Sequence, residues 1–212
     1  MDVPDYHAES DDWALIAKAR TGDPAAWEGI VSRHQDRVFT LCLRMMGEPE
    51  LAADMTQDTF IKAIQGLRGF DQRSLLSTWL YRIATNTCLS ELRTRRHRSR
   101  ARGEGGAGAG AGEGPNSVVA SAESREPTAS RGVELEDARS RLIEGLARVS
   151  DDQRAILVLR DVRGLDYAQI ASVLRIAPGT VRSRLFRARA ALRKELSSLN
   201  PDTSPSPFSD EP

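Results

Sequence analysis

Residues 166–196 read DYAQIASVLRIAPGTVRSRLFRARAALRKEL, and their punctuation decides the fold. Asp166 followed by Gln169 is a capping box, which predicts a short helix over Tyr167–Leu174. The turn Arg175–Ala177 follows. Pro178, with its fixed φ, then suits the first position of a long helix reaching about Ser197. A short helix, a three-residue turn and a second helix make a helix-turn-helix, which needs a small residue where the two helices cross; Ala171 fills that place. Ile170, Leu174, Ile176, Val181, Leu185, Ala188 and Leu192 are the expected shared core. The face left over carries Thr180, Arg182, Ser183, Arg184 and Arg187. A helix of that kind fits the DNA major groove, where arginine binds guanine bidentately and hydroxyls reach phosphates or base edges. The competing explanation is an ordinary helical hairpin with a solvated arginine face. Clustering of the arginines in the N-terminal half of the helix favours DNA.

Working upstream, Ser150 with Gln153 is a second capping box, opening a helix from Asp151 to Arg160 that Gly164 ends. A further helix is expected over 134–148. Before it, residues 103–132 run GEGGAGAGAGEGPNSVVASAESREPTASRG, thirty positions with eight glycines and no aromatic. Such a stretch cannot bury enough apolar surface to offset its ordering entropy and is expected to be a flexible linker. Four helices are expected ahead of it. The first starts at Ser10 or Asp11 with Trp13, Ile16 and Ala19 inward. Asp23 and Pro24 begin the second, which runs to Gly47 and buries Trp27, Ile30, Val31, His34, Val38, Leu41, Cys42 and Met45. Pro49 opens the third, with Leu51, Ala52, Met55, Phe60, Ile61 and Ile64 inward. The fourth runs from about Ser77 into an arginine run, burying Leu80, Ile83, Ala84, Thr87, Cys88 and Leu92. No segment sustains a two-residue alternation, so the expected class is all-α: two small helical domains on a linker. The boundaries expected are an acidic extension at 1–10, a first domain at 11–98, linker at 99–132, a second domain at 133–198, and a Pro-rich disordered tail at 199–212.

Composition narrows the function. The formal net charge is zero, with 30 basic and 30 acidic residues, yet the charges are segregated. Residues 1–12 hold five acids and no base; residues 92–102 hold six arginines and no acid. A local basic patch attracts phosphate whatever the distant acids do. Two cysteines, Cys42 and Cys88, and three histidines, His7, His34 and His97, form no ligand spacing, so neither metal nor cofactor is expected. His34, on an apolar face, reads as a packed core histidine. No apolar run approaches the ~18 residues that would span a bilayer, and the N-terminus lacks a signal pattern. The expected location is the cytoplasm. Clustered carboxylates, a Ser/Cys–His constellation and a phosphate-binding glycine loop are all missing from the sequence, so an enzyme is not expected.

Four stretches carry a family resemblance. GTVRSRLFRARAALRKEL (179–196) and DQRAILVLRDVRGLDYAQIASVLRI (152–176) resemble the fourth conserved region of extracytoplasmic-function sigma factors of the sigma-70 family. AADMTQDTFIKAIQGLRGF (52–70) and STWLYRIATNTCLSELRTRRHR (77–98) resemble that family's second region. The resemblance implies a dissociable subunit of RNA polymerase, with core polymerase and promoter DNA as partners and no small-molecule substrate. Asp54, Gln57 and Asp58, on one helical face at i, i+3, i+4, would dock on the coiled coil of the largest polymerase subunit. The second domain would meet the polymerase flap and read the −35 element through Thr180, Arg182, Ser183, Arg184 and Arg187. The loop after Gly69 and the fourth helix would melt and hold the −10 element through Arg73, Ser77, Trp79, Arg82, Asn86, Arg93 and Arg96, with Arg95 also near the strand. Trp79 reads equally as a base wedge or as core. An anti-sigma protein is implied as a restraining partner. Three positions depart from the family pattern: Ala53 ahead of Asp54 where two acids are usual, Leu76 where an aromatic is common, and Ser90 where an aspartate is common. The alternative function is a stand-alone helix-turn-helix regulator, with the first block sensing or dimerising. A Gly-rich chain of thirty residues spans roughly 30 Å on average. Promoter elements about 17 base pairs apart lie roughly 58 Å apart at ~3.4 Å per pair. The isolated chain is therefore expected to bind promoter DNA poorly.

Overall fold

A computed structural model describes residues 6–102 and 129–199, with side chains over 12–102 and 138–199. The acidic extension apart from its helical end, the glycine-rich stretch 103–128 and the Pro-rich tail lie outside the described residues. Eight α-helices are present among those described: α1 Tyr6–Arg20, α2 Pro24–Met46, α3 Pro49–Gly66, α4 Leu76–Ala101, α5 Ala129–Arg148, α6 Asp151–Leu157, α7 Tyr167–Leu174 and α8 Pro178–Leu199. Helix thus extends into 99–101 and 129–132, positions that composition alone places in the linker.

Local chemistry sets the helix ends. The Asp23 carboxylate accepts from the Ala25 N–H at 2.9 Å and the Ala26 N–H at 3.4 Å, which satisfies otherwise orphaned donors at the start of α2. Gly47 closes α2 at φ +80°, a conformation that suits a residue without Cβ, and its N–H donates to the Leu43 carbonyl at 2.8 Å. Both capping boxes form: Ser150 with Gln153, and Asp166 with Gln169. One feature departs from expectation. The helix opened by Ser150 stops being α-helical at Leu157 and finishes as a π turn over Val158–Val162, with Gly164 at φ +70° beyond it.

Helices α1–α4 pack around Ile30, Val38, Leu41, Met45 and Leu80, all fully buried. His34 is buried, and its Nε2 lies 3.0 Å from Asp12 Oδ2, tying α2 to α1. Arg33 joins the same carboxylate at 3.0 Å. Trp13 stacks on Phe70 at 6.2 Å, and Phe70 packs on Trp79 at 4.9 Å, so the loop after α3 is anchored by aromatics. Arg20 caps the same loop by donating to the Leu67 and Phe70 carbonyls. Helices α5–α8 form the second unit, with Ile156, Leu159, Ile170, Val173 and Val181 at its centre. The two units also touch: α4 packs on α6 and α7, and α2 on α5, α6 and the π turn. Their buried apolar side chains form one continuous cluster.

The third helix corrects an expectation. Its buried stripe is Ala52, Met55, Thr59, Phe60 and Ala63, a clean i, i+3, i+4 pattern. Ile61 and Ile64 fall off that stripe and are about half exposed, at 46% and 48%. Deleting the Phe60 ring, which meets Trp27 edge-on, should therefore cost ~3–5 kcal/mol on Phe60→Ala. Ile61→Ala should stay within about 0.5 kcal/mol of wild type. Urea denaturation of the two variants checks the difference. A larger loss at Ile61 than at Phe60 would overturn this assignment of the helix face.

Candidate nucleic-acid interface

Burying one face of α8 determines what the other face offers. Val181, Leu185 and Ala188 are buried against the rest of the second unit, and Leu174, Ile176 and Leu192 pack around them. Ala171, 5% exposed, sits at the crossing of α7 and α8, as the sequence requires. On the opposite side Arg182, Ser183, Arg184 and Arg187 are exposed, with Thr180 half-buried at the start of the helix. The Ser183 hydroxyl donates to the Thr180 carbonyl at 3.1 Å, and Arg187 Nε lies 3.4 Å from the Ser183 carbonyl. Among the described residues Arg182, Arg184 and Arg187 make no ion pair. Arg189 is different. Its guanidinium forks onto Asp161, and that hydrogen bond raises its pKa above the usual arginine value. It serves as a strut within the second unit, leaving the N-terminal half of α8 as the free basic surface.

Phe186 was legible as neither core nor site, and it is 75% exposed on α8. The signal that could have found it is negative. An aromatic outside the stripe Val181–Leu185–Ala188–Leu192 has no core to fill, so it must face solvent or a ligand.

The second basic surface lies along α4. Arg93, Arg95 and Arg96 are exposed in its C-terminal half; Asn86 is exposed, while Arg82 and Ser77 are half-buried nearer its start. Arg73 stands exposed in the preceding loop, paired with Asp71 at 3.4 Å. Trp79 differs from these. It is 7% exposed and covered by Phe70, so it is a core side chain here, and a base could stack on it only if the Phe70 loop moved away. Two of the arginines are engaged: Arg95 reaches Glu48 at 3.5 Å, and Arg96 Nη2 bonds Asp151 Oδ2 at 2.6 Å.

A third surface lies on α2 and α3. Asp54, Gln57 and Asp58 all project outward, Asp58 with Lys62 at 4.0 Å. Gln57 also borders a groove of about 560 Å³ whose floor is apolar, built from Trp27, Val31, Phe39, Phe60, Ile61 and Ile64. The two isoleucines that sequence periodicity placed in the core line this groove instead.

Comparisons with known proteins agree with this division. Residues 30–98 match the family model described as Sigma-70 region 2, and residues 139–192 match Sigma-70, region 4. The RNA polymerase sigma-H factor of Pseudomonas aeruginosa is 33% identical over 90% of this chain and 96% of its own length. The extracytoplasmic-function (ECF) RNA polymerase sigma factor SigW of Bacillus subtilis is likewise 33% identical, over 87% of this chain and 96% of its own length. Among solved structures, that of CnrH in complex with the cytosolic domain of CnrY superposes with a TM-score of 0.60 at 26% identity, covering 91% of this chain and 99% of that one. The sigma factor RpoE of Bartonella quintana, in complex with the anti-sigma factor NepR, shares the fold at a TM-score of 0.61 and 22% identity, covering 80% of this chain and 96% of that one. Both helical units thus match conserved regions of sigma-70 proteins, and the chain belongs to the extracytoplasmic-function sigma factors of the sigma-70 family.

Proposed function

We propose that the three surfaces divide the work of promoter recognition among them. The N-terminal half of α8 reads the −35 element. The observation that carries this is an exposed row of arginines with no acidic partner, set on a helix whose other face is fully committed to the core. Arg182, Arg184 and Arg187 can bind guanine edges or phosphates, and Thr180 and Ser183 add hydroxyl contacts. Phe186 supplies an apolar contact of the kind a thymine methyl makes in the major groove. The α4 row, with Arg73, Ser77, Arg82 and Asn86 near its start and Arg93 and Arg96 further along, takes the −10 strand, its guanidiniums following the phosphates of the opened DNA. The chain itself acts as a recognition subunit, with catalysis left to the polymerase.

The polar row Asp54, Gln57 and Asp58, with the groove beside Gln57, docks the coiled coil of the largest polymerase subunit. An apolar floor with a polar rim is the usual anatomy of a protein interface, and the half-exposed Ile61 and Ile64 supply part of that floor. The second unit meets the flap. A restraining partner protein of the anti-sigma type would act by covering these same faces; the Bartonella quintana relative was solved in complex with an anti-sigma factor.

Two expected outcomes test the assignment. Arg184→Ala and Phe186→Ala should each weaken binding of the holoenzyme to its −35 element by about 1–3 kcal/mol while leaving thermal stability unchanged; band-shift titrations on promoter DNA read the effect. No loss at either position would remove α8 from the interface. Separately, Gln57→Ala combined with Ile64→Glu should abolish capture of the chain by the immobilised polymerase coiled coil. Capture at the wild-type level would show that docking occurs elsewhere.

A further inference from the structure

Helix α1 ends in a grip on the loop that joins α3 to α4. Arg20, its last residue, donates from Nε to the Leu67 carbonyl at 3.1 Å and from Nη2 to the Phe70 carbonyl. Further up the helix, Trp13 lies stacked on the Phe70 ring, with 10° between the planes. Phe70 is buried, and on its other side it packs against Trp79. Helix α1 is itself fixed to α2. Ile16 is fully buried, and the Asp12 carboxylate lies 3.0 Å from both Arg33 Nη1 and His34 Nε2.

What this clasp holds is a strained tip. Asp71, Gln72 and Arg73 are exposed, and Gln72 has φ +60°. Left-handed backbone is costly for a residue with a Cβ and persists only where its surroundings impose it. The Asp71 carboxylate accepts from the Arg73 N–H at 3.3 Å, which tightens the turn from within. A peptide unit is planar, so a guanidinium holding the Phe70 carbonyl also sets the plane of the Phe70–Asp71 peptide. That plane fixes the direction in which the tip leaves the core. With Phe70 clamped, Trp79 stays covered, and an opened strand meets the tip in place of the indole.

We infer that Arg20 and Trp13 are positioning residues for −10 recognition: they act through the loop, by fixing the pose in which Asp71, Gln72 and Arg73 meet the unpaired strand. The inference rests on the assignment of Arg73 and α4 to the −10 element above. A loop discriminates between bases only as well as it is held, because a wandering donor satisfies several bases equally. Helix α1 thereby takes a share in base selection.

The test compares full-length variants bound to core polymerase. The probe is a forked promoter fragment, cut from a mapped start site, whose −10 non-template strand is already single; each −10 position carries each of the four bases in turn. Wild-type holoenzyme should prefer one base by about fivefold or more at a position the tip reads, the scale of a single well-placed contact. In Arg20→Ala and in Trp13→Ala that preference should fall below about twofold, while Trp13→Phe, which keeps the stack, should retain it. A variant that is merely less stable binds all four bases more weakly and leaves the ratio intact, so the ratio separates positioning from folding. Hydrogen exchange on the free chain reads the clasp without DNA. The Phe70 amide, bonded to the Leu67 carbonyl, should exchange about tenfold faster in Arg20→Ala, with the centres of α2 and α4 unchanged. A wild-type base ratio in Arg20→Ala, or an unaltered Phe70 amide, would overturn the inference. Should Arg20→Ala not fold, Arg20→Lys, whose ammonium lacks the planar fork, decides by the same ratio. A wild-type holoenzyme with no base preference on the fork would instead remove the −10 assignment itself.

Discussion

Burying the stripe Val181–Leu185–Ala188 of α8 against α5, α6 and α7 is the interaction on which the remaining arrangement rests. A helix has one circumference, and committing a third of it to a core fixes which residues face out. Here that commitment turns Arg182, Arg184 and Arg187 outward as a group. The same constraint operates on α3, where the stripe Ala52–Met55–Thr59–Phe60–Ala63 leaves Asp54, Gln57 and Asp58 projecting, with Ile61 and Ile64 at the edge of a groove. In both units the proposed binding surface is what remains after packing is satisfied. Arg96, Arg154 and Arg163 carry charge into the contact between the units.

Those arginines separate two kinds of basic residue in one molecule. Arg182 and Arg184 stand in water, where a guanidinium is inexpensive to keep and available to phosphate. Arg154 is buried, and a group that cannot shed its proton is tolerable there only because three carbonyls receive its donors. Removing one partner of such a fork costs far more than losing an exposed pair.

Much of this was legible from residues alone. Asp23–Pro24, Ser150–Gln153 and Asp166–Gln169 each mark a helix start by local hydrogen bonding, and local signals survive tertiary packing. The helix-turn-helix core and the outward arginines followed from a period of 3.6 and were placed as expected. What could not be read has a common cause. Ile61 and Ile64 match the apolar composition of a core but miss its phase by one position, and a groove needs a second helix, α2, to define it. Trp79 offered two equal readings because its burial depends on Phe70, nine residues away in the chain and across a loop. Arg154 resembles any surface arginine until the Met45 carbonyl, over a hundred residues distant, is brought to it. The π turn at Val158–Val162 leaves no mark in the sequence that we recognise.

The account stands or falls on whether this chain confers promoter choice on a polymerase. Purified core RNA polymerase should be mixed with the full-length chain on a pool of genomic fragments, and transcript 5′ ends mapped. The account predicts discrete start sites, absent with core enzyme alone, that share two upstream sequence elements at constant spacing. Transcripts that are the same with and without the chain, or start sites sharing no upstream elements, would contradict it.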